Sequence, residues 1–190
     1  LADYFKAKGI NLDEVVGSVA YDPLKKPLVK GVALTGAWVQ EAVAVVNAAE
    51  ALPGYRVLAV NAANLNDAGS YITQELGYAL AWGNDLIAKL SEVGLPAEKV
   101  AKKIKFNFGI SSNYFLEMAK FRAARWLWAE IVKAYNPSCD CACKIRVHAR
   151  SSMWNMTVFD AYVNLLRTQT ETMSAAIAGV DSITVLPYDS

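Results

Sequence analysis

Arg146-Val-His-Ala-Arg-Ser-Ser-Met-Trp154 runs into Asp160-Ala-Tyr-Val-Asn-Leu-Leu-Arg-Thr168, then Glu171-Thr-Met-Ser-Ala-Ala176, and closes at Asp181-Ser-Ile-Thr-Val-Leu-Pro187. The stretch reads as strand, polar turn, helix, strand. Its histidine, His148, is the only one in the chain and falls where the first of these strands is expected to give way to the turn. In α/β proteins the carboxyl ends of parallel strands are where ligands are met, because loops and helix N-termini converge there. An imidazole at that point has two readings, a chemical group or a hydrogen-bonded brace of a strand end, and position alone leaves both open.

Outward from this stretch the same alternation continues to the N-terminus. Short β-branched runs predict strands at Val15–Tyr21, Tyr55–Val60, Ile104–Phe108, Lys144–His148 and Ser182–Leu186. Between them lie helical segments: Leu1–Lys8 stopped by Gly9, Thr35–Leu52 ended by Pro53-Gly54, Asp67–Val93 closed by Gly94, and Asn113–Tyr135 stopped by Pro137. Ile72, Leu76, Leu80, Ile87 and Leu90 form one stripe expected to be buried, and Phe115, Met118, Ala119, Trp126 and Ile131 another. An aromatic and Met stripe of this kind reads as core rather than cofactor pocket. Tyr162, Leu165, Leu166, Met173, Ala176 and Ile177 mark the helix before the last strand.

Regular alternation implies parallel strands with right-handed crossovers. No Gly-rich phosphate loop follows the first strand, so a dinucleotide-binding sheet has no support. Five strands cannot close a barrel that needs eight. The expected fold is therefore a partial (β/α)8 TIM barrel of about five parallel strands with outer helices, one segment over residues 1–190. A start at Leu1 rather than Met is expected of a piece of a longer protein.

With 54% apolar and 19% charged residues, the composition excludes a disordered chain. A formal charge of +1 with scattered basic residues gives no case for nucleic acid or an anionic membrane surface. No apolar run is long enough to span a bilayer. The three cysteines sit together as Cys139-Asp-Cys141-Ala-Cys143. Odd number and tight clustering argue against a disulfide framework and for a reducing, cytoplasmic setting. Cys139, Cys141 and Cys143 could hold a soft metal, but a closed zinc site wants four ligands, and a Cys-rich loop after Asn136-Pro137 is the simpler reading.

Three motifs in order carry a resemblance. Asn61-Ala-Ala-Asn-Leu-Asn-Asp-Ala-Gly69, followed by Gln74-Glu-Leu-Gly-Tyr-Ala-Leu-Ala81, is similar to S-G-Y-H-M-Q-E-A-G and its helix in the cobalamin-dependent acyl-CoA mutases, methylmalonyl-CoA mutase above all. Lys105 to Arg125 resembles the family's F-F-x-I-G-M-N-F-x-M-E-I-A-K-x-R-A-A-R. Arg146 to Trp154 resembles R-T-H-x-Q-T-S-G-W. The resemblance covers nearly the whole chain and implies the family's substrate-binding barrel. Departures matter as much. Where the catalytic subunit carries a Tyr-His pair this chain has Ala63-Asn64, and Asn66-Asp67 replaces the Gln-Glu pair. Val180-Asp-Ser-Ile-Thr-Val-Leu-Pro-Tyr-Asp189 resembles the noncatalytic small subunit's A-D-S-L-T-V-L-P-F-D.

The resemblance thus implies a small-subunit portion that supports a catalytic large subunit, in a heterodimer, in interconverting methylmalonyl-CoA and succinyl-CoA. Adenosylcobalamin would belong to the assembled enzyme and not to this chain. The alternative it leaves open is a catalytic acyl-CoA mutase barrel with His148 as carbonyl electrophile. Pocket candidates by resemblance are Asn64, Asn66, Asp67, His148, Arg150 and Ser151. Raw strand edges of a partial barrel are further expected to make the isolated segment self-associate.

Overall fold

The computed structural model describes residues 1–34 and 36–189. Its strands lie side by side in the order in which the chain makes them: β1 (Gly17–Tyr21), β2 (Tyr55–Asn61), β3 (Ile104–Ile110), β4 (Val147–Ser151) and β5 (Ser182–Thr184). Every neighbouring pair is parallel. A parallel sheet whose order never reverses has no switch point, and crossovers of one hand then put the main helices on one side and curl the sheet. The expected barrel segment is what the chain forms.

The helices are α1 (Ala2–Ala7), α2 (Lys25–Lys30), α3 (Trp38–Ala48), α4 (Ala63–Asp67), α5 (Ile72–Glu92), α6 (Ala97–Ala101), α7 (Tyr114–Lys133) and α8 (Asn164–Ala178). Short α2, α4 and α6 carry too little periodicity to be anticipated. The helix expected over Asp67–Val93 is in fact two pieces. Gly69 takes a left-handed φ of +90°, ending α4, and the Tyr71 amide donates to Gln74 Oε1 at 2.9 Å where α5 begins. A side chain at Gly69 would also strike the Trp154 ring. The helix expected from Thr35 starts at Trp38, and Thr35 itself lies outside the described residues.

β4 corrects the expectation most. It begins three residues later than Lys144 and ends at Ser151, not at His148. Residues Asp140–Cys143 form a tight 3-10 turn, and pairing starts only where Val147 comes opposite Phe106. Position against β3, rather than β-branched composition, sets the strand. His148 is consequently the second residue of β4, inside the sheet.

Register divides the sheet into two faces. Leu58, Val60, Ile104, Phe106, Phe108, Ile110, Val147 and Ala149 are buried under the helices. Phe106 packs edge-on to Trp128 of α7 at 4.7 Å between centroids, and Phe108 meets Phe121 the same way. Their partners in alternation, Asn61, Lys105, Asn107, Gly109, His148, Arg150, Ser182 and Thr184, share the opposite, concave face.

α7 overturns a second expectation. Phe115 and Trp126, assigned to a core stripe, are 77% and 67% exposed, while Glu117, Lys120, Phe121, Ala124, Trp128 and Val132 are buried. The helix is rotated by an ion triad. Lys120 Nζ lies 2.7 Å from Glu75 of α5 and 2.6 Å from Glu117, all three fully buried, and it also donates to the Gly109 carbonyl. Glu75 Oε1 accepts from the Gly109 amide at 2.7 Å. Burial raises the Glu75 carboxyl above its usual range, against the pull of Lys120. A buried charge without partners is far costlier than an exposed aromatic, so the triad fixes which side of α7 faces inward.

Candidate functional site

The concave face carries a polar ribbon across the sheet. At the carboxyl end of β1, Asp22 accepts from the Asn61 amide of β2, and Asn61 in turn accepts from Asn107 of β3. Asn107 is level with His148 of β4, and His148 with Ser182 of β5. Both imidazole nitrogens are engaged: Nδ1 lies 2.8 Å from Ser182 Oγ and Nε2 lies 3.2 Å from Thr184 Oγ1. Burial, then the cations of Lys105 and Arg150, lower the His148 pKa, which favours the neutral ring. Lys105 donates to Ser18 at 2.8 Å, and its own pKa is lowered by burial.

Above His148, Arg150 forms an ion pair with Asp67 at the end of α4. The other oxygen of Asp67 accepts from the Met153 amide at 3.2 Å. The two charged groups therefore answer each other and tie the β2–α5 connection to the loop after β4. Within this pair, Arg150 Nε is buried without a partner.

The remaining sequence candidates divide. Asn64 is half-buried, with its side-chain nitrogen unpartnered. Asn66 is buried against β3 at Gly109 and is not free to meet a ligand. It donates to Glu75 at 3.3 Å and lies so close to β3 that any side chain at Gly109 would collide with it. Ser151 is fully buried on the helix side, its hydroxyl accepting from the Leu186 amide at 2.8 Å. Of the six candidates, Asp67 and Arg150 are thus in direct contact, and His148 shares their face. Sequence reasoning missed Asp22, Asn61, Asn107 and Lys105, whose ribbon spans residues far apart in the chain. Alternation of polar and apolar residues within β3 was the one available signal.

The cysteine cluster departs from the thiol loop expected. Cys139 and Cys141 are joined as a disulfide, with Cα atoms 5.2 Å apart, and Cys143 is free and buried. The 3-10 turn brings residues two apart within the distance a disulfide spans. Among the described residues no group of three or more His, Cys, Asp or Glu is arranged to hold a metal ion. Nor does any helix among them have the length and apolarity to cross a membrane.

A family model described as Methylmalonyl-CoA mutase matches residues 2–190. Over 187 residues, 98% of the chain, the sequence is 62% identical to the methylmalonyl-CoA mutase small subunit of Porphyromonas gingivalis, covering 30% of that protein. It is 36% identical to the small subunit of Streptomyces virginiae over 97% of the chain and 30% of the relative. With the large subunit of Propionibacterium freudenreichii subsp. shermanii the identity is 30%, over 93% of the chain and 25% of the relative. The chain therefore spans less than a third of the length of these relatives.

Proposed function

The chain belongs to the methylmalonyl-CoA mutase family, and from that premise we propose that it is a barrel segment of a small subunit, noncatalytic itself, supporting a catalytic large subunit in a heterodimer. The observation that carries this reading is the mutual engagement of the ionic and imidazole groups on the concave face. Arg150 and Asp67 neutralise one another, and both nitrogens of His148 are held by β5 hydroxyls. A carbonyl electrophile needs a donor aimed at the developing oxyanion. Here the imidazole would first have to give up a hydrogen bond within the sheet.

The same residues do not fit adenosylcobalamin. The one imidazole is half-buried and engaged on both sides, so no free nitrogen is offered to a corrinoid. On this reading the cofactor chemistry, with methylmalonyl-CoA and succinyl-CoA as substrates, belongs to the partner. Unpaired edges at β1 and β5, and the exposed Leu165, Leu166, Met173 and Ile177 on α8, favour association. In the isolated segment they would drive self-association. A cytoplasmic site of action accords with the family assignment.

Two measurements test the proposal. Equilibrium dialysis of adenosylcobalamin against the full-length subunit, alone and with its partner, should give binding only when the partner is present. His148→Ala in the full-length subunit should leave turnover of the assembled enzyme nearly unchanged. A large fall in turnover with assembly intact would make the imidazole a chemical participant and end the noncatalytic reading.

A further inference from the structure

At the amino ends of the strands, opposite the polar ribbon, a cavity of about 580 Å³ is lined by Cys141 and Cys143 together with Arg56, Arg125, Lys144, Arg146 and Asp181. Its volume is in the range of small-molecule sites. Four cations face one carboxylate there, and Asp181 is already taken, by Arg146 at 2.6 Å and by the Val147 amide at 2.8 Å. Arg125 donates only to carbonyls, those of Phe121, Ala178 and Gly179. Arg56 donates to the Lys102 carbonyl. Burial and the neighbouring Arg146 both oppose the Arg56 cation. Among the described residues, neither Arg56, Arg125 nor Lys144 makes an ion pair, so the lining carries an excess of positive charge that Asp181, the one carboxylate there, offsets only in part.

A disulfide across two residues closes too short a loop to add much stability, so its chemistry matters more than its constraint. The surrounding chain holds it in place. Glu98 of α6 accepts from both the amide and the hydroxyl of Ser138, at 2.9 and 2.5 Å, and Ala142 is fully buried. The two sulfurs are not equivalent. Cys141 lines the cavity, whereas Cys139 does not and accepts from the Cys141 amide at 3.1 Å, a donor that stabilises a thiolate.

We propose that this cavity is a thiol–disulfide exchange site for a small anionic disulfide, with Cys141 the residue modified and Cys139 the resolving thiol. In the reduced chain the Cys141 thiolate attacks one sulfur of the bound disulfide. A Cys141–S bond forms, the small molecule's S–S bond breaks, and one anionic thiolate leaves. Cys139 thiolate then attacks the Cys141 sulfur and expels the second. The sum is two protein thiols oxidised, one small disulfide reduced to two thiols, and the two cysteine protons carried off with them. A Cys139–Cys141 bond, the arrangement the structure holds, is where that sequence ends. The inference is independent of the noncatalytic reading.

The probe is oxidised glutathione, compared with neutral 2-hydroxyethyl disulfide, on the reduced full-length protein. Each rate is divided by that of the same protein unfolded in urea, which removes intrinsic reactivity. The expected result is a roughly tenfold preference for glutathione at low ionic strength, collapsing at about 1 M salt, where charges are screened within a few ångströms. Lys144→Glu, at an exposed position, should reduce the preference without disturbing the far-ultraviolet spectrum. Cys139→Ser should trap one glutathione, mapped by mass spectrometry to Cys141. Equal normalised rates for the two reagents at low salt, or an adduct mapped to Cys143, would overturn the proposal.

Discussion

α5 and α8 are both long amphipathic helices on the same side of one sheet, yet they are turned in opposite senses. α5 buries Ile72, Ala79, Leu80, Leu86, Ile87 and Leu90. α8 buries Asn164, Thr168, Glu171, Ser174, Ala175 and Ala178, leaving Leu166 63% and Met173 52% exposed. The polar groups of α8 are satisfied close to home. Thr168 bonds back to the Asn164 carbonyl, Ser174 to that of Glu171, and Glu171 accepts from the Ser152 amide and Asn155. Its small residues admit close packing on α7, where Arg125 reaches the Ala178 carbonyl. A helix with neighbours on both flanks buries its apolar stripe, and a helix at the open edge keeps that stripe for what covers it next.

The sharpest way to break this comparison is to remove the charge that joins α5 to α7. Lys120→Met would leave Glu75 and Glu117 buried without their cation, and should cost about 3–5 kcal/mol by urea unfolding. A loss under about 1 kcal/mol would mean that the carboxylates escape to water and that the triad does not orient α7.

A matched pair of truncations comes next. Leu90→Ala in α5 should cost about 2–5 kcal/mol, because the site is fully buried. Leu166→Ala in α8 should stay within about 0.5 kcal/mol. Equal losses in the same unfolding experiment would show that α8 turns its apolar stripe inward.

Glu171 gives a pH signature to the buried face of α8. Burial is the main cause that raises its pKa to about 7, with the Asn155 and Ser152 bonds opposing. The folded chain then holds a proton that the unfolded chain releases near the ordinary glutamate value. Stability is therefore highest below that value and falls as pH rises towards 7. The loss is about 1–2 kcal/mol after allowance for solvent screening. Glu171→Gln should flatten thermal unfolding midpoints across this window. His148, with its pKa lowered, contributes the opposite slope, losing stability as pH falls below its ordinary value.

The smallest effect on stability is expected from the double change Leu166→Glu with Met173→Glu, which touches exposed side chains alone. Unfolding should be almost unchanged while association weakens. Light scattering that shows the same assembly as before would mean that another surface mediates it.

Strand and helix alternation was readable because each short β-branched run and each long amphipathic segment reports on itself. All five strands fell where expected to within a few residues and paired in parallel. β4 slipped because Ala149, Arg150 and Ser151 have little intrinsic strand preference and are drawn into the sheet by pairing with Phe108, Gly109 and Ile110. The α7 stripe misled for a similar reason. Phe115 and Trp126 are apolar in isolation, but the partner that pulls Lys120 inward lies 45 residues earlier. Asp67 and Arg150 stood among the candidates singly, and nothing local signals that residues 83 apart neutralise one another.

By itself, then, the sequence determined the order and type of the strands and long helices, the parallel pairing and the family, since these depend on periodicity and motifs within short windows. The tertiary structure decided which side of α7 and α8 is buried, where β4 begins and which polar groups remain unpaired. Those outcomes depend on burial energies and electrostatic partners contributed by distant segments, and they exist only once the sheet has brought those segments together.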